Sequence, residues 1–348
     1  MGHTKEYGGI DRFRLFASLL IVGIHTYPLV SISEIANFYL IHVFGRIAVP
    51  FFLMVTGYFL LPRYLIKKES DSKPLINFIK KTGFIYIMAT LLYLPISIYA
   101  GHYSEGNLFA VIVRNIVFDG TFYHLWYLPA SIIGVLIVYN LGPKLSLPMV
   151  CGIAAVLYIV GLFGDNYWGV VSGVSFLRNI YDIGFNIFSF TRNGLFYAPI
   201  FLVMGAAIAK MKTRVSLRIC IVGLVVSLLF MMLEGYLLDR SSVSRHSSMY
   251  IALLPSMFFL FSLLLAQKGK SSILLRNVSM WIFILHPLLI IVVRGAARTL
   301  GLTSLLVENS VIHFVAVCIS TIAVSVFCTV ALRHYHHYRS RAKGRSTL

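Results

Sequence analysis

A chain of 348 residues in which 58% are hydrophobic and only 12% charged has a mean hydropathy of +0.84. Soluble globular domains carry about 25% charged residues, so this composition excludes one and indicates a polytopic membrane protein. The net charge of +18 is dispersed over many short segments, which argues against nucleic acid as a partner.

Taken in chain order, ten segments are long enough to cross about 30 Å of hydrocarbon. They run over 10–30, 39–61, 78–100, 123–142, 147–164, 193–210, 216–238, 248–267, 277–295 and 309–333. The first run has no small-residue cleavage site after it and reads as a retained helix. The stretch 106–118 reads as a further re-entrant or interfacial piece. A cytoplasmic N-terminus puts 22 of the 30 Lys and Arg residues on the inner side, as the positive-inside rule favours. The same charge suits contact with anionic lipid. The expected fold is all-α, a polytopic bundle of about ten transmembrane helices with both termini cytoplasmic. Residues 1–333 form the transmembrane domain, and 334–348 form a basic cytoplasmic tail or linker.

Cys151, Cys220, Cys318 and Cys328 lie in apolar segments without metal-ligand spacing, so they read as packing residues and no metal site is expected. One outer loop is long, from Phe163 to Arg192, and contains Asp165, Tyr167, Trp168, Arg178 and Asp182. Loops of that length are usually functional. Its aromatic content predicts that it lies back on the membrane face or caps a cavity.

The first segment carries Arg14 and His25, eleven residues apart. At about 100° per residue they share one helix face, about 16 Å apart along the axis. Asp11 and Ser18 fall on or near the same stripe. Facing lipid, an Arg and a His would cost several kcal/mol, so this face should meet protein or water. By helix arithmetic His25 lies about 10 Å below the outer surface. Arg46 reaches a similar depth, Arg192 opens the sixth segment, Glu234 closes the seventh and His124 starts the fourth. Any one of these reads as an interhelical pair or a snorkelling end. As a group they predict a polar cavity opening outward.

These residues also carry a resemblance. Gly9-Ile10-Asp11, with Arg14 and ten residues before His25, resembles the opening motif of the acyltransferase-3 membrane family. Pro50 to Leu60 is similar to that family's second-helix signature, with Thr56 where serine is usual. His124-Leu125-Trp126-Tyr127-Leu128-Pro129 resembles its fourth-helix motif. Ser279 to His286-Pro287 resembles its late motif, with Phe283 in the region of the usual tyrosine. The matches follow family order across essentially the whole chain, and the family's ten-helix architecture agrees with the count above.

A narrower resemblance rests on Tyr123 to Tyr127, Gly164-Asp165, Thr191 to Phe196 and His246-Ser247-Ser248-Met249-Tyr250. These stretches are similar to the membrane half of the VanT-type serine racemases of vancomycin-resistant bacteria. In that group the membrane half precedes a cytoplasmic racemase domain that uses pyridoxal phosphate. The resemblance implies antibiotic resistance, a multi-pass location in the bacterial cytoplasmic membrane, and supply of L-serine to the racemase. Nothing up to Leu348 resembles the racemase domain or its cofactor lysine motif. These residues are therefore not expected to racemise serine or to bind a cofactor, and the racemase domain or protein is the expected cytoplasmic partner. A homodimer is left open.

Two function classes follow. Binding and import of L-serine, or a similar small polar substrate, needs a cation for the carboxylate, an anion for the ammonium and a partner for the hydroxyl. Arg46 or Arg192, Glu234, and His25 or Asn193 fit those roles, and His124 and His286 complete the substrate-binding set. Acyl transfer would instead use His25 as general base on an acceptor hydroxyl. Arg14 would then hold a phosphate or carboxylate of an acyl donor such as acyl-CoA.

Overall fold

A computed structural model describes the backbone of residues 7–101 and 107–345, with side chains as far as Tyr335. Lys5, Gly106 and the last three tail residues, all used in the sequence reading, lie outside it. The principal helices are α1 (Gly8–Thr26), α2 (Ala48–Leu60), α3 (Lys73–Tyr99), α4 (Tyr127–Leu141), α5 (Leu147–Phe163) and α6 (Ser175–Ile187). They continue as α7 (Ala198–Lys210), α8 (Leu217–Arg240), α9 (Leu253–Ala266), α10 (Ile273–Thr299) and α11 (Ser310–Arg345). No strand occurs among the described residues. Among the described residues, five helical stretches are long and apolar enough to cross a membrane: Glu34–Leu60, Lys73–Tyr99, Leu217–Arg240, Ile273–Thr299 and Ser310–Tyr335. Shorter apolar helices accompany them, as in a multi-pass membrane bundle. The helix α11 runs on to Arg345, through residues that the sequence reads as a linker.

The chain divides into two compact units. The first comprises residues 1–48 and 263–348, the second residues 49–262.

In the first unit α1 packs against α10 and α11. Val22, Val278, Ile282, Ile290 and Val317 form its buried core. A Cβ on Gly9 would run into the carbonyl oxygen of Leu264, so this motif glycine is where the chain passes closest. The helix ends where Tyr27 turns left-handed (φ 54°) and its N–H closes on the Gly23 carbonyl.

Hydropathy predicts one helix over 39–61. The helical stretch Glu34–Leu60 covers that span, and it passes through a π turn (Tyr39–Val43) and a 3-10 turn (Phe44–Ile47) before α2. Pro50 has no N–H to offer the Arg46 carbonyl, which loosens the ladder at this point. Such irregular turns are frequent at functional positions.

In the second unit α7 packs on α4 and α5, and α3 packs on α4. A Cβ on Gly57 would meet the backbone of Leu202, and one on Gly205 the backbone of Met54. Small residues thus let α2 and α7 touch backbone to backbone, the usual device between membrane helices. The helices α4, α7 and α9 begin at 127, 198 and 253, four or five residues later than hydropathy predicts. The residues withheld from those helices build the site described next. The long segment between α5 and α7 holds a short helix (Trp168–Ser172) and α6. The stretch from Asn107 forms a helix (Leu108–Arg114) and a π turn (Asn115–Asp119).

Candidate functional site

The sequence-predicted residues fall into two groups, one in each unit. In the first unit, α1 carries Asp11, Arg14 and His25. Asp11 is almost fully buried and receives a two-pronged fork from Arg276, Nε to Oδ1 at 2.9 Å and Nη2 to Oδ2 at 3.0 Å. It also accepts the Ser272 N–H at 2.8 Å, and Arg14 Nε lies 3.6 Å from Oδ1. One carboxylate therefore ties the start of α10 to the start of α1 and holds two guanidinium groups. Such bidentate, charge-assisted bonds are the strong kind.

Further along the same helix, His25 stacks on His286, ring centroids 5.3 Å apart. His286 is fully buried, and its Nδ1 lies 3.0 Å from the carbonyls of both Ile282 and Phe283. The order His286-Pro287 explains this. Proline lacks the N–H that would bond the Phe283 carbonyl in a regular helix, and the imidazole of the preceding residue donates to it instead. Carbonyls only accept, so Nδ1 carries a proton. Arg46 belongs to this unit as well, with Nη2 3.2 Å from Nδ1 of His42 in the irregular turns.

In the second unit the network centres on residues 244–252, the extended entry to α9. Asp165, fully buried, accepts the N–H groups of Ser248 (2.7 Å) and Met249 (3.1 Å). Its own carbonyl accepts the Arg245 N–H at 3.0 Å. Arg192 donates from Nη1 to the Ser248 hydroxyl at 3.2 Å. Its guanidinium lies 4.3 Å from the ring centre of Phe190 and 5.5 Å from that of Trp126. Thr191 bonds the Gly161 carbonyl, and His246 packs on Phe190. His124 is buried among Tyr93, Phe122 and Tyr123. Gly120 permits that turn: its φ is +83°, and a Cβ there would strike the Trp126 backbone.

Two expected ligands are held by their own chain. Glu234 accepts the N–H groups of Ile251 (2.7 Å) and Ala252 (2.9 Å) just before α9, and the Tyr167 hydroxyl at 2.8 Å. That is a carboxylate serving a helix N-terminus. Burial and this bond push the Tyr167 phenol well above its ordinary value. The Asn193 side-chain oxygen accepts from Leu195 and Phe196, and its amide donates to the Phe190 carbonyl. Asn193 thereby shapes the turn that presents Arg192.

Sequence reasoning brought Arg192, Glu234 and His124 to the same layer but passed over Asp165, Tyr167, Arg245 and Ser248 as site builders. The available signal was Asp165-Asn166, a charged and polar pair at the end of an apolar stretch. No group of three or more metal-ligating side chains occurs among the described residues.

The acyltransferase-3 family profile, described as an acyltransferase domain, matches residues 7–330. An amino-acid racemase of Enterococcus faecalis is 44% identical over 95% of this chain and 46% of its own length. A second amino-acid racemase of that species is 33% identical over 89% of this chain and 44% of its own length. A serine/alanine racemase of Enterococcus gallinarum is 31% identical over 95% and 46% respectively. The chain thus spans a little under half the length of these relatives. No solved structure matches.

Proposed function

Because this chain belongs to the acyltransferase-3 family over nearly its whole length, and its relatives named racemases are about twice as long, we propose that it is the membrane part of such a system. In this reading it sits in the bacterial cytoplasmic membrane and takes up L-serine. A cytoplasmic racemase domain then converts the serine, in the setting of vancomycin resistance.

One observation carries the proposal. Gly164-Asp165, Thr191 to Phe196 and His246 to Tyr250, three stretches far apart in the chain, fold into a single network around Arg192, Ser248 and Asp165. A desolvated guanidinium beside a hydroxyl is suited to a small carboxylate. Polar residues spared from helices that could have started earlier indicate a site rather than packing. Arg192 is the carboxylate-binding residue in this reading, while Glu234 and Asn193 position it. His124, in the same unit as Arg192, remains a proposed substrate contact.

The test is uptake of labelled L-serine by proteoliposomes carrying the chain, with Arg192→Ala as the first variant. Uptake no greater than in empty liposomes would overturn the reading.

A second reading, acyl transfer, draws on the first unit. There His25 meets an imidazole whose tautomer is fixed by two carbonyls, and a fixed neighbour of this kind could orient a general base. Arg14 would hold the acyl donor. Acylation of an added hydroxyl acceptor by membranes containing the chain, lost in His25→Ala, would favour this reading over import.

A further inference from the structure

The helix α6 in the long outer segment divides into three faces. At about 100° per residue, Phe176, Ile180, Ile183 and Ile187 fall within an arc of about 60°. All four are exposed, at 72, 51, 66 and 54%. A second face carries Tyr181 and Phe185, which pack edge-on against Trp168 with centroids 5.6 and 5.4 Å apart. The Arg245 guanidinium covers Phe185 at 3.5 Å. The third face is polar, with Arg178 and Asp182 3.6 Å apart. A helix resting on a protein surface in water would bury its apolar stripe and expose the rest. Here the most apolar stripe is the one turned away from the protein.

The height of α6 is also fixed. The Tyr181 hydroxyl donates to the Val160 carbonyl at 2.7 Å. Val160 lies three residues, about 4.5 Å, below the end of α5 at Phe163. On that stretch of α5, Val156 and Ile159 are exposed apolar residues, the surface a membrane helix offers to acyl chains. The exposed stripe of α6 therefore continues a lipid-facing surface at the level where hydrocarbon gives way to headgroups.

We infer that α6 is an interfacial helix whose Phe176–Ile180–Ile183–Ile187 stripe is seated in the outer leaflet of the bilayer. The inference rests on the multi-pass reading of the bundle and not on serine import. A three-faced helix of this kind matches the amphipathic elements that lie in the interface plane. A second copy of the chain is the poorer occupant. Four partly exposed side chains offer on the order of 400 Å², about half of what each partner contributes to a standard interface.

The experiment places one fluorescent label at a time on the full chain in vesicles, using Ile183→Cys, Ile180→Cys and Asp182→Cys in a background with Cys151, Cys220, Cys318 and Cys328 replaced by alanine. Quenching is measured with lipids carrying a nitroxide near the carbonyl region and with iodide in the water. At positions 180 and 183, lipid quenching should be several-fold stronger than at 182, and iodide quenching should follow the opposite order. Elution of each variant as a single peak in size-exclusion chromatography controls for folding. Equal exposure to iodide at all three positions would overturn the inference. So would a disulfide joining two copies of the Ile183→Cys variant before labelling, because it would make the stripe a contact between chains.

Discussion

The imidazole of His25 lies against that of His286 with ring planes inclined by only 23°. The two rings come from helices that pack along much of their length, α1 and α10. One ring is fully buried and locked by carbonyls of its own helix, while the other is half-buried. The pair thus divides into a fixed member and a presenting member.

Different costs should follow. His286→Ala removes a buried ring and leaves the Phe283 carbonyl without its donor, a loss of about 2–4 kcal/mol. His25→Ala removes a half-buried ring, which leaves a smaller void, and should cost about 1–2 kcal/mol. Thermal unfolding of the two variants in detergent checks the order. Equal loss of stability would show that the rings share one structural role.

Asp11 and Arg276 make the other fixed joint in the first unit. Removing the carboxylate leaves two guanidinium groups at one point, so Asp11→Ala should cost about 2–4 kcal/mol, discounted from the fully buried case because Arg276 is partly exposed. Arg276→Lys keeps the charge but loses the fork, and should cost about 1 kcal/mol. In a double-mutant cycle, Asp11→Ala with Arg276→Ala should lose less than the sum of the two single changes. Strict additivity would mean that the pair is not coupled.

Much of this was legible in the sequence, and the reasons differ by residue. The membrane class followed from composition alone, because no soluble core needs so few charges. The common face of Arg14 and His25 followed from helix geometry and needed no partner to be known. The late starts of α4, α7 and α9 were not legible. His124 to Trp126, Asn193 to Tyr197 and Ser248 to Ala252 are apolar enough to extend their helices. Long-range partners hold them out, notably Asp165 on Ser248 and Glu234 on Ile251 and Ala252. Hydropathy sees a residue's own preference and not the carboxylate that claims its N–H from 83 residues away. The irregular turns before α2 could have been anticipated from Pro50, but hydropathy across the segment masks them.

Asp119 supplies a pH dependence. Burial raises its pKa above the usual carboxylate value of 3.8, although the Ser189 N–H and Arg114 work in the opposite direction. The folded state then holds a proton over a pH range in which the unfolded chain has lost it. Asp119 therefore contributes its stability fully below the unfolded pKa, and that contribution falls as pH rises through the folded value. Asp119→Asn keeps an acceptor for Ser189 and cannot titrate. Its stability should vary less with pH than that of the wild type, close to it in acid and higher than it at neutral pH, where the wild type holds a buried carboxylate. An unchanged slope above the ordinary carboxylate pKa of 3.8, followed by thermal unfolding in detergent, would count against this assignment.

Arg192 and Glu234 lie in one network, and the variants that separate their roles are conservative ones. Arg192→Lys keeps a cation but cannot donate in the fork geometry that suits a carboxylate. Its serine uptake should fall about tenfold or more, the factor that a loss of about 1.4 kcal/mol or more represents. Glu234→Gln keeps one acceptor oxygen for the α9 entry and removes the charge. If the carboxylate serves the helix N-terminus, this change should lower stability by about 1–2 kcal/mol while uptake per folded molecule stays near wild type. If Glu234 binds the substrate ammonium directly, the same change should leave the thermal midpoint nearly intact and raise the serine concentration needed for half-maximal uptake. Measuring both quantities on the same preparation decides between the roles. The three donors already on the carboxylate, two backbone N–H groups and the Tyr167 hydroxyl, favour the first outcome.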